Sequence, residues 1–478
     1  MPENSILFVN KDIIAESRNF AVRMNPPMES TIVMRADKPW EDRFIAFYLT
    51  AIDMNGLLRM WYTCRDKEGQ GNIAYAESHD GFTWEKPDLG IVDYKGSKKN
   101  NLVGLHDLEG SVIYDKKAEG GAEYPYRYFT SRHRKGIFIF KSRDGIIWEP
   151  EKGPVLNFIA DSQNHVFRDS RNGKLTAYFR GWKQVTEPAN AARKKYFRTV
   201  VRTELEEDFT HGELMPAGEG GYRWKDSSLP AFTSEIPKVF ECDETDGRDC
   251  DVYTMAVHQY PYDGRYYFAF PGLYSHFPPP PAGKFGNDGR IEIHLLGSLD
   301  GITWKRYGNM PYVPVGTTGS ESSEMVFMGV GMAERGNNIL QYGTGYSTTH
   351  GDNEGRIKNS DGVIILHKQR KDGFLSADSM ETAGGTMFLK PQKIAGEKLF
   401  INYRTSICGY LKIGLCEADG SEIPGFSADD CIPLSGNSIR EEVRWKNAVD
   451  VGTGMLKDRD VMIRVEGKYC NLYSILMV

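Results

Sequence analysis

The 478-residue chain has no apolar run of about 18 residues, so no segment of it is a candidate membrane-spanning helix. It also lacks an excess of one charge. Its 59 basic and 65 acidic side chains leave a net −6, with Lys and Arg scattered, which speaks against nucleic acid and anionic membranes as partners. Cysteines are few: seven, at positions 64, 242, 250, 408, 416, 431 and 470, with no Cys-x-x-Cys pair. An odd, dispersed set argues against a disulfide framework or zinc cluster and reads as free thiols, although Cys242 and Cys250 bracket an acidic loop. Amphipathic helical stretches are missing. So are the Gly-x-Ser-x-Gly elbow, a glycine-rich phosphate loop and His-Glu-x-x-His. The N-terminus has neither the basic start nor the apolar stretch of a signal peptide. The expectation is a cytoplasmic protein, or a secreted or periplasmic one already stripped of its leader.

What is abundant is turn and strand chemistry: 50 Gly and 25 Tyr favour many short strands. One phrase recurs as Ser78-His-Asp80-Gly81-Phe-Thr-Trp84, Ser142-Arg-Asp144-Gly145-Ile-Ile-Trp148 and Ser298-Leu-Asp300-Gly301-Ile-Thr-Trp304. Worn copies stand at Asp208-Phe209 and Asp372-Gly373-Phe374, so the five Asp residues (80, 144, 208, 300, 372) are spaced by 64, 64, 92 and 72. A unit recurring at such intervals implies a toroid of like modules. Asp-Gly makes the turn, Ser caps it and Trp seals the outside of the module.

Upstream of each phrase lie an apolar strand, a turn rich in Asp, Asn and Gly, and a second strand rich in Tyr and Phe. The expected fold is all-β: a five-bladed β-propeller over residues 1–380, then a β-sandwich over 381–478. The strip Ser275–Arg290, with Pro278 to Pro281, reads as a long loop walling or covering a site.

In such a toroid the first strand of each module lines the central funnel, and its leading residues face the pocket. Asp53, Asp115 and Asp169 fall at strand ends and read as turn residues. The pocket-facing acids are Glu109, Asp161, Asp251, and Glu321 with Glu324. Carboxylates converging on one funnel repel, so at least one has a raised pKa, and one protonated acid beside one ionised carboxylate is the equipment of glycoside hydrolysis. Asp251 and Glu324 are the expected main catalytic pair, with Glu109 and Asp161 supporting. His165, Asn164, Arg180, Trp182, Tyr253, Glu321, Tyr342 and His350 are the candidate substrate-binding residues, Arg180 for a hydroxyl or carboxylate and Trp182 for a sugar face.

The repeats, the segment Glu77-Ser-His-Asp-Gly-Phe-Thr-Trp-Glu-Lys-Pro-Asp-Leu-Gly90 and the C-terminal Gly420-Ser-Glu-Ile-Pro-Gly-Phe-Ser427 resemble the five-bladed glycoside hydrolases. These are the invertase and fructan hydrolase family and the arabinofuranosidase and xylosidase family, with an uncharacterised bacterial subgroup of glycosidases. Their motifs have partial counterparts here: Arg23-Met-Asn-Pro-Pro-Met28, Arg168-Asp169-Ser170 and Phe240-Glu241-Cys242-Asp243. The resemblance implies a glycosidase acting on a small glycan or a terminal glycosidic bond. The alternatives are a non-catalytic carbohydrate-binding propeller and a glycoside phosphorylase, for which Arg132-His-Arg134-Lys135 is the obvious basic cluster. No cofactor and no metal site is expected, an axial calcium or sodium ion being left open. The expected partner is a carbohydrate substrate, and the oligomeric state is open.

Overall fold

Short strands joined by Asp-Gly turns account for the architecture. In each repeated phrase one Asp Oδ1 accepts two consecutive backbone N–H groups: Asp80 from Phe82 and Thr83, Asp144 from Ile146 and Ile147, Asp300 from Ile302 and Thr303, all at 2.7–2.9 Å. The Ser hydroxyl accepts from the Gly N–H at 2.8–2.9 Å. Gly81, Gly145 and Gly301 sit at φ of 84°, 77° and 70°, the left-handed region where a Cβ is costly. Each freed Gly carbonyl then accepts a donor from the preceding module. Trp61 Nε1 donates to Gly145 O (2.7 Å), Tyr178 OH to Gly301 O (2.7 Å) and Tyr342 OH to Gly81 O (2.9 Å). The repeat is thus both a turn and an inter-module latch.

The computed structural model describes every residue except 1–3, 116–122, 133–135, 157–159, 185–195, 206–212, 217–221, 226–234, 248, 279–286, 354–360, 395, 447–455 and 457–458. The worn repeat Asp208-Phe209, residues 133–135 of the basic cluster and Pro279 to Pro281 lie outside the described residues. The fold is all-β. Among the described residues the α-helix is one turn, His350–Asn353, and no helix is long and apolar enough to cross a membrane.

Five antiparallel units follow one another. Unit one is Phe44–Met54, Leu57–Arg65 and Gly71–Ser78; unit two is Gly110–Tyr114, Tyr126–Ser131, Ile137–Ser142 and Glu149–Leu156. Unit three is His165–Arg168, Leu175–Gln184, Tyr196–Leu205 and Lys238–Phe240. Unit four is Cys250–Gln259, Tyr267–His276, Gly289–Ile293 with Leu296–Ser298, and Lys305–Arg306. Unit five is Met325–Met328, Asn338–Tyr346 and Val363–Arg370, and its outer strand is the distant N-terminal Glu29–Arg35. The first strands of units one to five each touch the next, and the fifth touches the first, which closes a ring.

A separate nine-stranded sheet is built on two long strands, Leu399–Cys416 and Asp460–Met477. The sequence division at residue 380 differs from this pairing in one respect. Asn4–Leu7 and Leu375–Ser379 pair with the long strand Asp460–Met477, while Ile14–Arg18 and Ala21–Met24 add to Gly385–Leu389 and Leu375–Ser379, so all four belong to the C-terminal sheet. Its core continues into unit four through Phe268, Phe270, Tyr312 and Phe374. At that junction Tyr260 OH donates to Asp372 Oδ1 (2.5 Å), which gives the worn Asp372-Gly373-Phe374 repeat its place. All seven cysteines are free, with Cys242 and Cys250 sulfurs 3.4 Å apart.

Candidate functional site

Glu109 directly precedes the first strand of unit two, Asp161 lies four residues before that of unit three, and Asp251 is the second residue of that of unit four. The floor there is aromatic, and a local distortion builds it. The Phe44–Met54 strand slips register between Ile45 and Leu49, with Ala46 at φ 53°. The freed N–H groups of Phe47 and Tyr48 donate to Thr63 Oγ1 at 2.7 and 3.1 Å. Bulges of this kind re-aim side chains beside functional sites. Here the half-buried Phe47 ring is laid against Phe327 (4.8 Å), Tyr346 (5.3 Å) and Tyr253 (6.3 Å).

Beside this floor Glu109 and Asp161 face each other across adjoining units. Burial first, and then the Asp161 charge, push the Glu109 carboxyl up to about 7, against an opposing pull from Arg180. Asp161 remains 63% exposed, so it meets solvent, and Arg180 Nη1 reaches its Oδ2 at 3.4 Å. Arg180 Nη2 donates to Tyr253 O at 2.6 Å, and the guanidinium lies 4.8 Å from the Tyr253 ring centroid and 5.8 Å from that of Trp182. Trp182 itself is 41% exposed. His350 Nδ1 faces Asn287 O (3.1 Å) and its Nε2 faces Tyr253 OH (3.0 Å). Nδ1 therefore carries the proton and Nε2 accepts the hydroxyl. Burial lowers this imidazole to about 4, which keeps it neutral at ordinary pH.

Asp251 and Glu324, the main pair expected from the sequence, are each held by an arginine of their own. Asp251 is sealed at 1% exposure, accepting from Arg198 N and Nη1 (both 3.1 Å) and facing His276 Nε2 at 3.2 Å. Burial is the largest single influence and would raise its carboxyl, but the Arg198 charge together with the bonds and charge of His276 and the Arg198 N–H outweighs it and holds the group well below the usual carboxylate range. Glu324 is gripped by both ends of the Arg290 guanidinium, at 2.6 and 3.1 Å.

Four candidate binding residues have positions away from this pocket or tasks within the scaffold. Glu321 is paired at the surface with Arg35 (2.8 Å at both ends). Tyr342 is the latch to Gly81 and packs edge-on against Trp84. Asn164 is fully buried and donates through its backbone to Glu109 O at 3.3 Å. His165 is buried, accepts from Val257 N (3.0 Å) and is held well below its ordinary value by burial. Sequence reasoning missed Phe47, Tyr48 and Arg198. The signal for the aromatic pair would have been the bulge, which has no Gly to mark it. Arg198 carries no local signal, since it is defined by Asp251, 53 residues away. Among the described residues no group of three or more His, Cys, Asp or Glu is placed to hold a metal ion.

No family model matches the chain. An uncharacterized protein of Mycobacterium tuberculosis is 29% identical over 114 residues, which is 22% of this chain; the match spans 34% of that protein's length. Solved structures with a similar course include a thermostable family-43 glycoside hydrolase (12% identical, TM-score 0.41, 70% of this chain and 92% of that one). The catalytic domain of the Coprinopsis cinerea GH62 α-L-arabinofuranosidase is similar at 9% identity and TM-score 0.42, over 72% and 97% of the two chains. So is an N-acetylgalactosamine deacetylase from F. plautii in complex with blood group B trisaccharide, at 13% and 0.42, over 73% and 94%.

Proposed function

We propose that this protein is a glycoside hydrolase in which Glu109 is the general acid and Asp161 its ionised partner. In this reading the five units are the blades of a β-propeller whose last blade is closed by Glu29–Arg35, and the nine-stranded sheet is the accompanying β-sandwich. The observation that carries the reading is the Glu109 carboxyl, pushed up to about 7 next to an exposed second carboxylate at the mouth of the ring. An acid poised near the working pH gives its proton to a leaving oxygen readily, while the neighbouring carboxylate serves as base or nucleophile at the sugar carbon. Arg180 Nη1 lies 3.4 Å from the Asp161 carboxylate and fixes its place beside Glu109. Phe47 and Trp182 offer ring faces on which a sugar can lie. Asp251 takes no proton in this scheme; with His276 it fixes the Arg198 guanidinium.

The test is a panel of aryl glycosides and oligosaccharides assayed with the wild type and Glu109→Gln. The variant loses about 10²- to 10⁴-fold in turnover on poor leaving groups, keeps its melting temperature, and recovers on glycosides with strongly acidic phenols. Wild-type turnover by Glu109→Gln on unactivated substrates would overturn the assignment.

A further inference from the structure

Two guanidinium groups, Arg180 and Arg198, lie over the same two rings. Arg180 sits 5.8 Å from the Trp182 centroid and 4.8 Å from that of Tyr253; Arg198 sits 5.8 and 5.3 Å from them and 5.4 Å from Tyr274. Like charges are thus held side by side in a largely desolvated spot. The side chain of Arg180 is 2% exposed and that of Arg198 12%. Their compensation is uneven. Asp251 is committed to Arg198, whereas the contact of Arg180 with Asp161 is long, at 3.4 Å, and Asp161 is mostly in solvent. Hydrogen-bonding capacity is also unspent, for Nε of Arg180 and Nε of Arg198 are buried without a partner. Buried cationic donors left in this condition are costly unless a further acceptor arrives. Guanidinium groups are the side chains best suited to hold an oxyanion by two bonds at once, and a flanking exposed indole supplies the face for the ring that carries it.

We infer that Arg180 and Arg198 form a cradle for an oxyanion that enters the pocket with the carbohydrate: a uronosyl carboxylate or a phosphate. The inference builds on the glycosidase reading by naming the class of ligand, anionic over neutral. His350 borders the cradle but is not one of its cations, since it is bonded at both ring nitrogens and kept neutral. Both sources of the oxyanion fit the same two donors and the same Trp182 platform, and binding measurements separate them.

Calorimetric titration of the full chain uses glucuronate, galacturonate, glucose, galactose and inorganic phosphate, with acetate as a control for charge alone. We expect a uronate, or phosphate, to bind about tenfold or more tightly than either neutral sugar. In Arg180→Gln and Arg198→Gln that preference shrinks towards parity. A uronate preference without phosphate binding assigns the cradle to a sugar carboxylate; phosphate binding without a uronate preference assigns it to phosphate. Equal affinity for uronates and neutral sugars together with no phosphate binding overturns the inference, as does a preference that survives in both variants. Should a variant fail to fold, the wild-type comparison decides alone. Binding needs no turnover, so an inactive Glu109 scheme and an absent anion preference are separate results.

Discussion

Two carboxylates near the starts of the first strands of units two and four meet opposite fates, and the difference lies in what faces them. Asp251 meets a cation and a histidine; Glu109 meets burial and another carboxylate. Replacing Asp251 by Asn leaves Arg198 buried without its counter-charge. Such a break costs about 3–5 kcal/mol, read as a lowered melting temperature in calorimetry. This is the reverse of an active-site acid, whose amide variant melts normally. The pH dependences also run oppositely. The depressed Asp251 carboxyl contributes stability that is present above 3.8 and fades as pH falls below it. The raised Glu109 carboxyl favours the fold below 4.5, and that contribution is lost as pH climbs through about 7. Sequence position alone named all four acids but not their roles, because the deciding partner of each comes from another strand.

At the scale of elements, the repeated turn does two jobs that its residues announce only in part. Ser, Asp and Gly declare the turn. That the Gly carbonyl is also an acceptor for the preceding unit could be known only once Trp61, Tyr178 and Tyr342 had been placed against it. Tyr342→Phe removes one buried hydrogen bond and leaves the ring in position. It lowers unfolding free energy by about 1 kcal/mol in denaturant titration, with kcat/KM unchanged. A fall in kcat/KM without a change in stability would return Tyr342 to the substrate pocket. The bulge at Ala46 shows the other limit of legibility. A non-glycine residue at positive φ has no mark in composition, yet it turns Phe47 and Tyr48 towards the acids.

For the whole molecule, periodicity leads to the expectation of five like units, but closure depends on contacts without a local signature. Ser30 meets His367 across 337 residues, and the first strands complete a ring only when unit five touches unit one. Removing residues 1–35 strips the outer strand of unit five and three strands of the second sheet. Size-exclusion chromatography and thermal melts are expected to show an aggregating chain without the cooperative transition of the full protein. The same closure delivers Glu109 and Asp161 to a common mouth, and the functional account rests on that delivery. It is tested most directly by following the Glu109 carboxyl through a pH titration, by isotope-edited infrared or carbon NMR, in the wild type and in Asp161→Asn. The account predicts a midpoint near about 7 that falls clearly in the variant. An ordinary Glu midpoint of about 4.3, unmoved by Asp161→Asn, would contradict it.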